Sequence, residues 1–550
     1  MAEMMLTDCR SNISVARRYY ASNPVLQPLE DKVHMSVVSK TWKSVLNSVP
    51  DSHFDVDTEI PSVLYCLMDP YGCKRKKAKG LRNHLTTWVD KSMRVCHEHG
   101  NHKKCIIECF RLRAIFDDRI ELIAKNYVKK LDLNYKIYSL SWYHFPPTTL
   151  DGALVVLNLC NCGLEIPASK RLSCFQVLRL SNVDLNGLAG HLLSICPSLE
   201  TLDIKSCRNI KHLQISSNFK LKNVLGFQTE AYTYYIDATT LQTLHLYEIP
   251  QFLEMSILNG AVSCSNLKEL SLCSTYHTFI TNKIIETLIS KFPYLEELTF
   301  SASFDSAKIL KVSSHLLRKL SITLHGNNCV KEVNINTPNL LVYLYSCTAN
   351  NIPSTISLNS TQLRVANLEL NFSCGMLLGR SWFLKLREYL GNFTPVEELN
   401  LGVKPHSEMG FLPGDIREAQ TVPSSSLAKI THLRVVDNPS VMVDFIALVE
   451  GLLLCCHPLT LSVTASYPPN INYMVKVIYK HLMSKEVQNA DYLSDNHNDC
   501  LQQRLKSVTI KRLIGTKNGR KFYAEDLTVL PTDLEEVKAA TFKLNWLLEN

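Results

Sequence analysis

The spacing Leu-x-x-Leu-x-Leu/Ile, closed by a small or cysteine-bearing turn, recurs along this chain. It reads LVVLNLCNC from Leu154, LETLDIKSC from Leu199, LQTLHLYEI from Leu241 and LKELSLCST from Leu267. Further copies stand at Val128 (VKKLDLNY), Phe175 (FQVLRLSNV), Leu295 (LEELTF), Leu317 (LRKLSI) and Val396 (VEELNLG). Within each copy the apolar and polar residues alternate as they do in a strand with one buried face. One strand returning every ~20 to 28 residues cannot bury that face alone and covers it with the next copy. The chain therefore stacks, and its 550 residues set no domain count.

Between strands the apolar spacing turns helical, as in Leu188, Leu192, Leu193 and Ile195, or Ile284, Ile285, Leu288 and Ile289. Pro197, Pro293 and Pro395 stand just ahead of the next strand, where proline drives its predecessor out of the helical region. Helix, proline, strand is the expected repeating unit, with extended or tight-turn geometry in arches as short as Lys211 to Asn218. This is the α/β architecture of a leucine-rich-repeat solenoid, a horseshoe of strands with returning arches.

In such strands the leucines face the core and the residues between them face the concave side. That parity exposes Lys130, Asp132, Val177, Arg179, Asp203, Lys205, His245, Tyr247, Glu269, Glu297, Thr299 and Lys319. The row is mixed in charge, which suits a peptide or a folded protein surface better than a polyphosphate. Arg179, Asp203, Lys205, His245, Tyr247, Glu269, Thr299 and Lys319 are the candidate target-binding residues.

Other functions are read out by what the chain lacks. The net charge of +8 is a mild bias on so long a chain rather than the concentrated patch that nucleic acid needs, so no nucleic-acid partner is expected. There is no G-x-x-x-x-G-K-S/T, no G-x-G-x-x-G and no evident Ser, His and acid arrangement, so neither an enzyme activity nor a cofactor is expected. Cys96, His99, His102, Cys105 and Cys109 are zinc-type ligands, but without paired Cys-x-x-Cys spacing they read as a polar loop before a strand, and no metal is expected. Lys74, Arg75, Lys76, Lys77 and Lys79 form a basic run, read either as a solvated loop or as a nuclear-import signal. The 19 cysteines include Cys160, Cys162, Cys207, Cys273 and Cys347 in strand-turn segments, where they read as reduced core residues of an intracellular protein. MAEMMLTDCR has no apolar signal core, and Val443 to Cys456 carries Asp444 and Glu450 and is too short to span a bilayer. A cytoplasmic or nuclear location without a membrane partner is the expectation.

Residues 28–57, PLEDKVHMSVVSKTWKSVLNSVPDSHFDVD, resemble the second half of a plant F-box, with matches at Val38, Ser39, Lys40, Trp42, Val49, Pro50, Phe54 and Asp55. Val33, Val37, Trp42 and Leu46 fall at helical spacings that give one apolar face. WVDKSM at Trp88, CFRLRAIFDD at Cys109 and LKSVTIKRLIGTKNG at Leu505 are similar to joining and terminal segments of the FBD-type plant F-box/leucine-rich-repeat family. The resemblance implies the substrate-recognition subunit of an SCF ubiquitin ligase. Val33, Val37, Val38, Ser39, Lys40, Trp42 and Leu46 would dock a Skp-type adaptor and through it a cullin, while the repeats capture an unidentified protein. Pattern and resemblance together give four regions: a partial F-box-like helical segment at 1–60, a linker and helical/strand junction with the basic loop at 61–127, the solenoid at 128–461, and an FBD-like terminal region with a divergent tail at 462–550. The family's box opens with a Leu-Pro-x-x-Leu helix, and here SVARRYYASNPVLQ stands in its place, with Arg17, Arg18, Tyr19 and Tyr20 where an apolar ridge belongs. A second reading follows, a non-ligase repeat scaffold that has lost adaptor binding.

Overall fold

The computed structural model describes residues 52–55, 107–112, the greater part of 128–465 with its longest breaks at 248–263 and 412–427, then 475–480, 482, 505–517, 520–528, 530 and 536–546. The adaptor-docking candidates Val33, Val37, Val38, Ser39, Lys40, Trp42 and Leu46, the basic run at 74–79, and Cys96, His99, His102 and Cys105 lie outside the described residues. The chain divides into two compact units, Met1–Glu248 with Met255–Ser265 and Ile249–Glu254 with Asn266–Asn550. The division falls inside the stretch 128–461 that reads as one run of repeats.

The first unit carries β1 (Ser52–Asp55), β2 (Ile107–Leu112), β3 (Val128–Asn134), β4 (His144–Phe145), β5 (Val156–Cys160) and β6 (Gly163–Leu164). There follow β7 (Val177–Ser181), the helical turn α1 (Leu192–Ile195), β8 (Thr201–Cys207), β9 (His212–Ser216), β10 (Asn223–Thr229), β11 (Thr233–Asp237) and β12 (Thr243–Tyr247). Strands β1, β2, β3, β5, β7, β8, β10 and β12 pair in that order, all parallel. The fourth motif positions Leu131, Leu157, Leu178, Leu202, Val224 and Leu244 stand in register, and none is more than 2% exposed. Asn161 (φ 61) and Asn182 (φ 51) take the left-handed conformation that asparagine tolerates. Their amides chain Asn182 to Asn161 at 2.7 Å and Asn161 to Asn134 at 2.9 Å.

Among the described residues two strands precede Val128: β1 lies at the end of the segment 1–60 expected to be helical, and β2 is the strand expected after the polar loop of His99 and His102. Ile107-x-x-Phe110-x-Leu112 registers on Val128, Leu131 and Leu133, so it is the repeat pattern written without its first two leucines. Phe54 and Asp55 of the half-box lie in β1, paired with β2.

The second unit carries β13 (Glu269–Cys273), β14 (Phe279–Ile280), α2 (Asn282–Lys291), β15 (Glu297–Phe304), β16 (Ile309–Ser313), β17 (Lys319–Leu324) and β18 (Glu332–Asn336). Next come β19 (Val342–Thr348), β20 (Thr355–Asn359), β21 (Val365–Asn371), β22 (Leu377–Leu378), α3 (Arg380–Gly391), β23 (Glu398–Lys404) and β24 (Gly410–Phe411). The unit ends with β25 (Ala428–Asp437), α4 (Met442–Cys455), β26 (Cys456–Ala465), β27 (Leu505–Lys517), β28 (Arg520–Leu527) and β29 (Glu536–Trp546). Strands β13, β15, β17, β19, β21, β23, β25 and β26 form a parallel ladder. It continues antiparallel through β29 and β27 to β28.

Helix, proline, strand describes only some arches. Thr281 caps α2 by accepting from the Ile284 amide at 3.3 Å, Ile285 and Leu288 are buried, and Pro293 follows the cap residue Phe292. Pro395 lies outside the described residues. The arches holding β16, β18 and β20 are instead strands of a second parallel sheet. Their buried Leu310 and Val312, and Val333 and Ile335, alternate with period two, which a helix cannot place on one face. In the arch at Lys211 to Asn218, where extended or tight-turn geometry is expected, the described residues His212–Ser216 are extended, as β9 pairing with β11. Tyr343 and Tyr345 replace leucine in the ladder above α3, packed against Phe393 and Tyr389 with ring centroids 6.0 and 6.3 Å apart. Burial pushes the phenols of Tyr343, Tyr345 and Tyr389 well above their ordinary range.

Candidate functional site

The leucines between them fix which side chains leave the ladder. In the first unit Arg179 and Lys205 are exposed, Lys130, Asp132, Val177 and His245 are half-buried, and Tyr247 is 37% exposed. In the second, Glu269, Glu297, Thr299 and Lys319 are half-buried on the same side of their ladder. Lys319 Nζ pairs with Glu297 Oε2 at 2.8 Å, and Arg179 Nη1 donates to Asn158 Oδ1 at 3.4 Å. Registers bring Arg179 beside Asp203 and set Glu269, Glu297 and Lys319 in one row. The candidate residues thus fall into two groups, one per unit.

Asp203 departs from the expected exposure. It is 8% exposed, because β10 shifts register after Leu225 and places Gly226, at φ +67, over its carboxylate. A Cβ at Gly226 would overlap the side chains of Asp203 and Lys205. Lys205 Nζ holds Asp203 Oδ2 at 3.1 Å, while buried Oδ1 has no hydrogen-bond partner. Ser271 is likewise buried at 7% exposure, near Cys273 Sγ at 3.6 Å. Neither side chain is presented to a target.

The second unit's polar face opens into a groove of about 560 Å³ between β17 and β25, which the sequence reading does not identify. One row across its floor is Ser321, Leu344, Asn367, Asn400 and His432; the next is Thr323, Ser346, Glu369, Gly402 and Arg434. Gly402 supplies depth, since a Cβ there would sit 3.3 Å from Glu369 Cγ and 3.6 Å from Arg434 Nη2. Across this notch the Arg434 guanidinium donates to Glu369, which also accepts from Lys404 Nζ at 3.0 Å. Asn400 Nδ2 donates to Asn367 Oδ1 and to Glu398 Oε1, both at 2.7 Å. His432 Nδ1 lies 2.6 Å from the Thr460 hydroxyl. Burial first, then Arg434 and Lys511, lower the His432 pKa against the opposing pull of Glu398. Its imidazole is therefore neutral at pH 7. The only glycine in VEELNLG is the one sequence signal that could have located the groove.

The floor offers short hydroxyl and amide groups that both donate and accept, which is the complement of peptide groups and polar side chains. A second hydroxyl–imidazole pair, Ser301 Oγ and His325 Nε2 at 2.7 Å, lies on the same unit, and burial holds the His325 pKa low. Among the described residues no group of His, Cys, Asp and Glu side chains is arranged to hold a metal ion. None of the described helices is long and apolar enough to cross a membrane.

Residues 116–252 and 232–369 match the family model of the leucine-rich repeats of an FBD-associated F-box protein. The two stretches together hold β3 to β20, so the stacked strands of that part of the chain are similar to leucine-rich repeats of that type. No curated protein matches the chain.

Proposed function

We propose that this chain is a substrate-recognition subunit of an SCF-type ubiquitin ligase. One observation carries the reading: repeats similar to those of an FBD-associated F-box protein follow, in the same chain, the half-box matches Val38, Ser39, Lys40 and Trp42. In this reading the half-box docks a Skp-type adaptor that leads to a cullin, and the polar faces of the ladders hold a protein target. The chain does no covalent chemistry of its own. It raises the effective concentration of the target's lysines near a conjugating enzyme carried elsewhere on the complex. Its place of work is the cytoplasm, the nucleus or both.

The test is co-precipitation of the full chain with the Skp-type adaptor and cullin, a relative with a complete box serving as positive control. Recovery of both partners, lost on Trp42→Ala, is the expected result. If the relative binds and this chain does not, the ligase reading falls. SVARRYYASNPVLQ, standing where an apolar docking helix belongs, then favours the second reading, a repeat scaffold that holds its partner without a cullin.

A further inference from the structure

The overall charge of +8 shows no basic run in the repeats, yet folding gathers cations at one end of the second unit's polar face. Pairing places Arg434 of β25, Ser462 of β26, Thr541 of β29 and Arg512 of β27 in one row. His432, Thr460, Lys543 and Thr509 form the adjacent row. Between Ile510 and Arg512 strand β27 advances two residues against one on β29, so Lys511 is the extra residue of a bulge, a device that re-aims a side chain. Lys511 lies close enough to His432 of the groove for its charge to lower that pKa.

Three of these cations carry no ion pair among the described residues, and the fourth, Arg434, shares its acid. Lys511, Arg512 and Lys543 are exposed, and among the described residues none has a carboxylate within ion-pair distance. Glu369 is shared between Arg434 and Lys404, two cations on one acid. Glu525 registers opposite Arg512 without closing an ion pair. Three strand spacings separate Arg434 from Arg512, about 14 Å, the reach of about four extended residues. The hydroxyls of Thr460, Ser462 and Thr541 floor the space between them. Glu369, Glu398 and Glu525 stand among the cations and would repel a close-packed run of phosphates, whereas a peptide can keep its acidic side chains on the cations and its amides on the hydroxyls.

We propose that β25, β26, β29 and β27, with the groove beside them, bind an acidic peptide segment of a protein target. The inference rests on reading this face as a target-binding surface and deepens it by naming the partner's chemistry. The probes are labelled peptides of about twelve residues, long enough to cross the four strands when extended, with Glu and Ser alternating or with Gln replacing every Glu. Anisotropy on the full chain should show the acidic peptide binding at least about tenfold tighter and weakening as salt rises. The double substitution Lys511→Glu with Lys543→Glu should abolish that preference with an unchanged melting curve, while Lys222→Glu on the first unit should leave it intact. Equal binding of the two peptides overturns the proposal, as does a preference that survives the double substitution. Tighter binding of inorganic tripolyphosphate than of the acidic peptide would also overturn it, in favour of a small-polyanion site. Adaptor co-precipitation by the same protein reads the ligase proposal separately, so either can fail alone.

Discussion

Leu202→Ala tests the ladder at a point where its effect can be worked out. Leu202 is fully buried in β8, with Leu178 and Val224 in register on either side. Truncation removes about three methylene equivalents at ~0.8 kcal/mol each, or about 2.4 kcal/mol of transfer free energy. Because β8 is hydrogen-bonded to strands on both sides, the neighbours cannot close fully over the gap. An unfilled volume of ~50 Å³ at ~24 cal/mol per Å³ adds about 1.2 kcal/mol. The expected loss is therefore about 3.5 kcal/mol, and in a stacked ladder it concentrates in the nearest repeats. Asp203→Ala, one residue along, makes the contrast. It removes a carboxylate with one unpartnered buried oxygen, together with its attraction to the Lys205 ammonium, whose side chain is 53% exposed. The two effects oppose, leaving a change within about 1 kcal/mol. Hydrogen exchange across Val177–Thr229, combined with urea unfolding, reads both variants. A Leu202→Ala protein within ~0.5 kcal/mol of the parent, or an equal loss from Asp203→Ala, would refute the assignment of core and surface.

Gly451 of α4 should not accept alanine, because a Cβ there would overlap the Phe383 ring of α3. The expected loss, read from the urea midpoint, is about 1 to 3 kcal/mol despite alanine's higher helix propensity. The pH dependence follows from His432 and His325, whose folded pKa values lie below the ordinary 6.5 because burial disfavours the charged ring. Between the folded and unfolded values the unfolded chain binds more protons. Stability should therefore fall as pH drops below 6.5 and be level above it, and His432→Gln should flatten the acid limb of a plot of Tm against pH. Native alkylation should label exposed Cys174 and Cys374 first. Buried Cys196, Cys207, Cys347 and Cys455, whose thiols burial pushes up to about 12, should label only on unfolding. Peptide mapping separates the two sets.

Leu-x-x-Leu-x-Leu is a local pattern, and local stereochemistry was enough to identify its buried face. Alternation with period two leaves one face for the leucines, so Leu131, Leu157, Leu178 and Leu202 could be assigned inward before any fold was known. Ile107-x-x-Phe110-x-Leu112 could likewise be read as a strand after a polar loop, but not as a copy of the repeat, because two of its three apolar residues are not leucines and its place in the ladder depends on pairing with β3. The exposure of Lys205 and Arg179 followed from parity, but parity speaks only of a strand's own side chains and not of what its neighbour does. Asp203 is buried because the next strand bulges at Gly226, and the bulge is visible only once β8 and β10 are paired. The groove has the same origin: Gly402 is an ordinary strand glycine until Glu369 and Arg434, 65 residues apart, meet across it. The basic end of the face draws on residues 434, 511, 512 and 543, brought together when the ladder turns antiparallel at β29. Sequence alone determined which face of each strand bearing the leucine motif packs inward, because that depends on residues one or two apart. Only tertiary structure decided which exposed side chains share a surface, because that depends on the register between segments tens of residues apart.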